Sequence, residues 1–209
     1  MKWLIDTVTS SIGKKLVMAV TGLGFCVFLI LHMLGNLTIY AGKQVFNAYA
    51  GHLHSLGILL NVAELGLLCL AAAHVTTGGI LFYGNWRARP IRSRVKRSSG
   101  GRTIGSMTMP YTGIGILLFV VFHLLNFHFV DKTQRTIFEI VSDAFVNPGY
   151  VALYIVAMEA VAIHVSHGFW SAFQTLGFDH PKYTPLVRVA SVAFSLVIGF
   201  GFGFIPVYA

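Results

Sequence analysis

Long uncharged apolar runs, separated by short polar stretches, organise this chain. Leu16 to Gly42 holds 27 residues without Asp, Glu, Lys or Arg, and Thr103 to Val130 holds 28. Between Lys43 and Arg87 the only charge is Glu64, and from Ala144 to Phe178 it is Glu159. Val189 to Ala209 is uncharged over 21 residues. Apolar runs of about 18 or more residues can cross a hydrocarbon layer of about 30 Å as helices. The pattern predicts an all-α integral membrane protein with five spanning helices, at about 15–40, 55–84, 107–130, 149–176 and 186–208, in one membrane domain over 1–209. Helix is the expected form because backbone groups facing lipid must be satisfied within their own segment. A transmembrane barrel needs apolar and polar positions to alternate, which these runs do not. Small residues recur in the spans, as close helix packing requires, and no repeat of fixed period is visible.

Composition sharpens this picture. Of 209 residues, 56% are hydrophobic and 11% charged, against about a quarter charged in a soluble domain. Cys26 and Cys69 lie in apolar runs and form no CxxC pair, so neither a zinc knuckle nor covalent haem attachment is expected. Met1 to Ser11 lacks signal-peptide features, so the first span is expected to remain in the mature protein. The 84–104 loop carries Arg87, Arg89, Arg92, Arg94, Lys96, Arg97 and Arg102 with no acid, and Lys2, Lys14 and Lys15 lie near the N-terminus. The positive-inside rule then puts the N-terminus and this loop in the cytoplasm, and five spans put the C-terminus outside. The loop is a topology signal first and a surface for cytoplasmic partner subunits or anionic lipid second. Nucleic-acid binding is not expected, because no folded recognition motif accompanies the charge.

Histidine is the anomaly. His32, His74, His123, His164 and His167 fall inside spans, and His128 near the end of one. An ionisable side chain at membrane depth is costly and points to function. His32 lies 18 residues beyond Lys14 and His123 lies 21 beyond Arg102, about 27 Å and 31 Å along a helix, so both belong to the outer half of the membrane. His74 is 13 residues before Arg87 and His164 is 15 before Asp179, which places both deeper toward the inside. Two imidazole pairs at two depths suit axial ligation of two low-spin haem irons, whereas zinc would want three or four ligands at one level.

Several motifs carry a family resemblance. Ser11-Ile12-Gly13-Lys14-Lys15 through Thr21-Gly22, then His32-Met33-Leu34-Gly35-Asn36, resembles the dihaem cytochrome b anchors of bacterial succinate:quinone oxidoreductases. So do Phe46-Asn47-Ala48-Tyr49-Ala50, Leu53-His54-Ser55-Leu56-Gly57, Met109-Pro110-Tyr111-Thr112-Gly113 with Phe122-His123-Leu124, and His164-Val165-Ser166-His167-Gly168-Phe169-Trp170. The resemblance spans the whole chain. It implies a multi-pass subunit of the bacterial cytoplasmic (inner) membrane that binds two haem b groups and a quinone, menaquinone being the expected species. It further implies a cytoplasmic FAD flavoprotein subunit and an iron–sulfur subunit as partners, which would hold the flavin and clusters of a fumarate reductase or succinate dehydrogenase. The implied iron ligands are His32 with His123 and His74 with His164. His167 competes for the fourth position, and the family spacing to Gly168 and Trp170 favours His164.

The implied quinone and proton candidates are Asn36, Asn47, His52 and His54 near the outer level, with Glu64 and Glu159 as the acids within the spans. His54 stands where some dihaem relatives carry a Glu, and a histidine can exchange protons near neutrality. Glu159 lies three residues from Ala162, where a relative has an acid. Lys15, Arg87, Arg102 and Ser106 are candidate partners for haem propionates. Two alternatives stay open: a cytochrome b subunit of another quinone-linked oxidoreductase, such as a hydrogenase or formate dehydrogenase, and a haem-free proton-coupled transporter.

Overall fold

The computed structural model describes residues 2–88 and 103–209. Among these residues the regular structure is entirely helical: α1 Lys2–Thr9, α2 Ser11–Asn36, α3 Lys43–Ser55, α4 Ile58–Arg87, α5 Ile104–His123, α6 Ile137–Phe145, α7 Pro148–Thr175, α8 Thr184–Gly203 and α9 Ile205–Tyr208. A 3₁₀ turn, Leu37–Ala41, extends α2, and a π-helical turn, Leu124–His128, extends α5. Five segments are long and apolar enough to cross a membrane: Ser11–Ala41, Ile58–Arg87, Ile104–His128, Pro148–Thr175 and Thr184–Tyr208. The chain is a helical protein with the make-up of a multi-pass membrane protein.

Local chemistry sets the helix ends. Ser10 Oγ accepts from Gly13 N at 3.0 Å to start α2. Thr103 and Ser106 form a reciprocal capping box at α5, with Ser106 N on Thr103 Oγ1 at 3.1 Å and Thr103 N on Ser106 Oγ at 2.9 Å. Asn147 caps α7 through Gly149 N at 2.8 Å, and Pro148 takes the first helical position, where no amide donor is needed.

The spans differ from the expected limits by a few residues, most tellingly at the second. Ser55 ends α3 rather than opening a span, because Gly57 turns the chain at φ 53° before α4 begins at Ile58. The expected outer loop is thus a helix. A second short helix, α6, occupies the connection after the third span. The two are tied together: Phe138 N donates to Asn47 Oδ1 at 3.1 Å, and Lys43 Nζ pairs with Glu139 at 2.8 Å. Glu139 also caps its own helix through Thr136 N at 2.9 Å. The Lys43 hydrogen bond, then the Thr136 amide, hold its carboxyl down at about 2.

Packing is centred on α7, which lies against α8, α5 and α2. Cys26, Met33, Ala157, Met158, Val161, Val165 and Ile198 form one buried cluster there. Close approach is set by small residues, as where Gly199 of α8 faces Ala162. A second cluster, with Ile39, Phe46, Val141, Phe145, Tyr154 and Ile205, lies where α3 and α6 meet the ends of the spans. The outlying helix is α4, which packs on α2 and buries none of its residues. A helix apolar on all sides and so little covered is suited to lipid.

Candidate functional site

Two pairs of histidines meet between spans. His32 on α2 faces His123 on α5, with ring centroids 5.9 Å apart and planes at 89°. His74 on α4 faces His164 on α7, with centroids 6.5 Å apart and planes at 61°. The helices that carry each pair hardly touch. α5 packs on α7, and α4 packs on α2, but among the described residues no extensive backbone contact joins α2 to α5 or α4 to α7.

This spacing can be tested against a shared metal. Two imidazoles on opposite sides of one iron have ring centres about 6 Å apart, from about 2 Å per metal–nitrogen bond and about 1 Å from nitrogen to ring centre. Both observed separations fit. Among the described residues no group of three or more His, Cys, Asp or Glu converges as a zinc site would require.

The neighbours of each ring are equally specific. Thr21 Oγ1 lies 2.9 Å from His74 Nδ1, and Thr112 Oγ1 lies 3.1 Å from His164 Nδ1. Tyr154, which is 6% exposed, places its hydroxyl 3.2 Å from His123 Nδ1. In each case Nδ1 is occupied, and Nε2 is left for another partner. His32 is different: Asn36 Nδ2 approaches its Nε2 at 3.5 Å while donating to its carbonyl at 2.8 Å. Phe28 stacks on His32 at 5.1 Å and Phe119 lies 5.8 Å from His123. A Cβ on Gly22 would meet only His74 Cε1, at 3.6 Å, and one on Gly113 only His164 Cε1, at 3.5 Å. Bare backbone therefore borders the second pair on two sides, as a flat macrocycle needs.

These contacts follow a repeat in the sequence, which corrects the expectation that the chain holds none. Thr21-Gly22-Leu23-Gly24 and Thr112-Gly113-Ile114-Gly115 each precede a Phe seven residues, and a His eleven residues, after the threonine (Phe28 and His32; Phe119 and His123). Ala72-Ala73-His74-Val75-Thr76-Thr77-Gly78 likewise matches Ala162-Ile163-His164-Val165-Ser166-His167-Gly168. The contacts repeat with the letters: threonine on histidine, glycine on histidine, and Met18 beside Gly78 as Met109 is beside Gly168. Two like halves, α2 with α4 and α5 with α7, thus contribute one histidine each to both pairs. The second half follows the first at a nearly constant offset, 91 residues from Thr21 to Thr112 and 90 from His74 to His164, while the residues between the matched blocks differ in content.

The remaining candidates divide. His167 does not join a pair; its Nδ1 lies 3.4 Å from Thr103 Oγ1 and its ring meets the Trp170 edge at 5.3 Å. Asn36 adjoins the first pair. Asn47 is engaged in capping α6, and His52 and His54 are exposed on α3, with His54 Nδ1 2.7 Å from Ala50 O. Glu64 is half exposed and lies 3.9 Å from His128 Nδ1, while Glu159 is exposed on α7. Lys15 and Arg87 are exposed, and Ser106 is engaged in its capping box. Lys15 and Ser106 occupy equivalent places, six residues before Thr21 and Thr112. Arg102 and most of the basic loop, 89–102, lie outside the described residues. Thr21, Thr112 and Tyr154 were not among the expected site residues. The doubled Thr-Gly motif is the signal that marks the two threonines.

Compared with known proteins, the chain matches no protein-family model, no curated protein and no solved structure.

Proposed function

We propose that this chain is the dihaem cytochrome b membrane subunit of a bacterial succinate:quinone oxidoreductase, a fumarate reductase or succinate dehydrogenase. In this reading it anchors the FAD flavoprotein and iron–sulfur subunits at the cytoplasmic face of the inner membrane and links them to a membrane quinone, menaquinone being the expected species. The observation that carries it is the meeting of four histidines from four spans as two facing pairs. The motif resemblance along the whole chain supplies the complex and its partners.

His32 and His123 hold the outer haem, and His74 and His164 the inner one. Bound haem b supplies a one-electron couple at its iron. The chain's own residues orient the ligands: Thr21, Thr112 and Tyr154 fix three imidazoles through Nδ1, and Phe28 and Phe119 pack beside the outer two. Thr21 and His32 are 11 residues apart on one helix, which separates the two levels by about 16 Å. Asn36 stands beside the outer pair and is the best placed of the quinone candidates to hydrogen-bond a carbonyl. His52 and His54 lie exposed on α3 at the same side and are the candidates for proton exchange there. In this reading the dicarboxylate chemistry belongs to the flavoprotein subunit.

Parallel repeats of this kind also occur in transporters. The facing imidazoles favour the cytochrome reading, because a proton or ion pathway has no need of paired rings at two levels. A direct test is affinity purification of the complex through a tag on this chain. The expected result is recovery of FAD-bearing and iron–sulfur subunits with succinate-dependent reduction of a quinone analogue. A hydrogenase or formate-oxidising partner instead would discard the succinate assignment and keep the cytochrome.

A further inference from the structure

Thr21 and Thr112 do more than fill space between helices. We infer that they are positioning residues that set the tautomer of His74 and His164, each hydroxyl accepting the Nδ1 proton so that Nε2 is the free, metal-binding nitrogen. The inference rests on the dihaem reading and goes beyond it.

The number of protons available fixes the direction of each hydrogen bond. A threonine hydroxyl has one hydrogen to give and two lone pairs to accept with. Thr21 Oγ1 lies 2.6 Å from Val17 O, a carbonyl that can only accept, and two oxygens that close require the proton between them. The hydroxyl therefore faces His74 Nδ1, 2.9 Å away, with a lone pair, and the imidazole must be the donor. Thr112 repeats the arrangement. Its Oγ1 lies 3.0 Å from Thr108 O and 3.2 Å from Met109 O, both acceptors, and 3.1 Å from His164 Nδ1. A neutral imidazole protonated on Nδ1 has its lone pair on Nε2, and an acceptor on Nδ1 raises the basicity of that ligand nitrogen.

The repeat shows that the device is built twice. Each threonine sits at the same place in its half and serves the histidine of the helix packed beside it: α2 orients the ligand on α4, and α5 orients the ligand on α7. The outer pair has no such symmetry. Tyr154 serves His123, and among the described residues no hydroxyl reaches a ring nitrogen of His32.

The test uses the whole complex in which the chain works. Thr21→Val and Thr112→Val keep the side-chain shape and remove the acceptor, whereas Thr21→Ser and Thr112→Ser keep it. Haem per chain and the redox titration of each cytochrome band are measured, with a His164→Leu variant identifying which band is the inner one. Each Val variant is expected to weaken retention of the inner haem by about 10- to 100-fold and to raise the potential of the inner couple alone. Each Ser variant is expected to restore both. Two haems at unchanged potentials in the Val variants would overturn the inference, as would equal shifts of both couples or Ser variants that behave like Val. Absence of haem b from the wild-type complex would instead overturn the dihaem reading itself.

Discussion

The two histidine levels use the same four helices and differ in what holds the rings. At the His74–His164 level, the inner one in the proposed reading, both imidazoles meet threonines from neighbouring helices, and glycines border both. At the outer level one imidazole has a tyrosine hydroxyl inside a cluster of phenylalanines, and the other has an asparagine one turn along its own helix. The inner site is symmetric and tied to the packing of the spans. The outer site is asymmetric and lies next to α3 and α6, which link to each other through polar contacts. The proposed quinone site would gain from such asymmetry, because a ligand must enter on one side.

Substitution of the ligands should have the largest effect and separate the levels outright. His32→Leu or His123→Leu is expected to remove the outer haem, and His74→Leu or His164→Leu the inner one, as counted from the cytochrome spectrum. His167→Leu should leave both in place. Retention of the inner haem in His164→Leu with its loss in His167→Leu would reverse the assignment. Next in size are Gly22→Val and Gly113→Val, whose branched side chains enter the gap beside His74 and His164. They should deplete the inner haem and spare the outer.

Tyr154→Phe keeps the aromatic packing against Phe119 and Phe145 but removes the hydroxyl at His123. It is expected to shift the outer couple alone and to lower stability by about 0.5–1.5 kcal/mol, measured by thermal unfolding. Asn47→Ala leaves the Phe138 amide without its acceptor and should cost about 1 kcal/mol in the same measurement, loosening α6 over the outer level.

The smallest effect concerns pH. Glu139 has its carboxyl lowered from an ordinary 4.5 to about 2 by Lys43 and the Thr136 amide. Its contribution is complete above about pH 4.5 and is lost as pH falls through about 2. Lys43→Met should flatten that acid dependence, and should do so less visibly at high salt, where an exposed pair is screened.

How much of this was legible in the sequence follows from what each signal depends on. The five spans were, because charge-free runs of this length are imposed by lipid and survive any detail of packing. That His32 and His123 share one level, and His74 and His164 another, was legible too, since depth follows from rise per residue, and the rings of each pair do meet. The helices α3 and α6 were not. They are short and polar on one face, and their limits depend on Gly42 and Gly57 at positive φ and on the Thr136–Glu139 cap. The roles of Thr21, Thr112 and Tyr154 were hidden because each acts on a histidine 31 to 53 residues away. Nor does the sequence show that Asn47, a quinone candidate, accepts the Phe138 amide at the start of α6 through its Oδ1.

The most direct test of the central claim is a reduced-minus-oxidised spectrum of the purified complex, with haem quantified against this subunit. Two noncovalent b-type haems per chain, titrating as two couples, is the predicted result. A folded preparation with no haem, or with a single haem lost equally on substitution of His32 and of His74, would contradict the account.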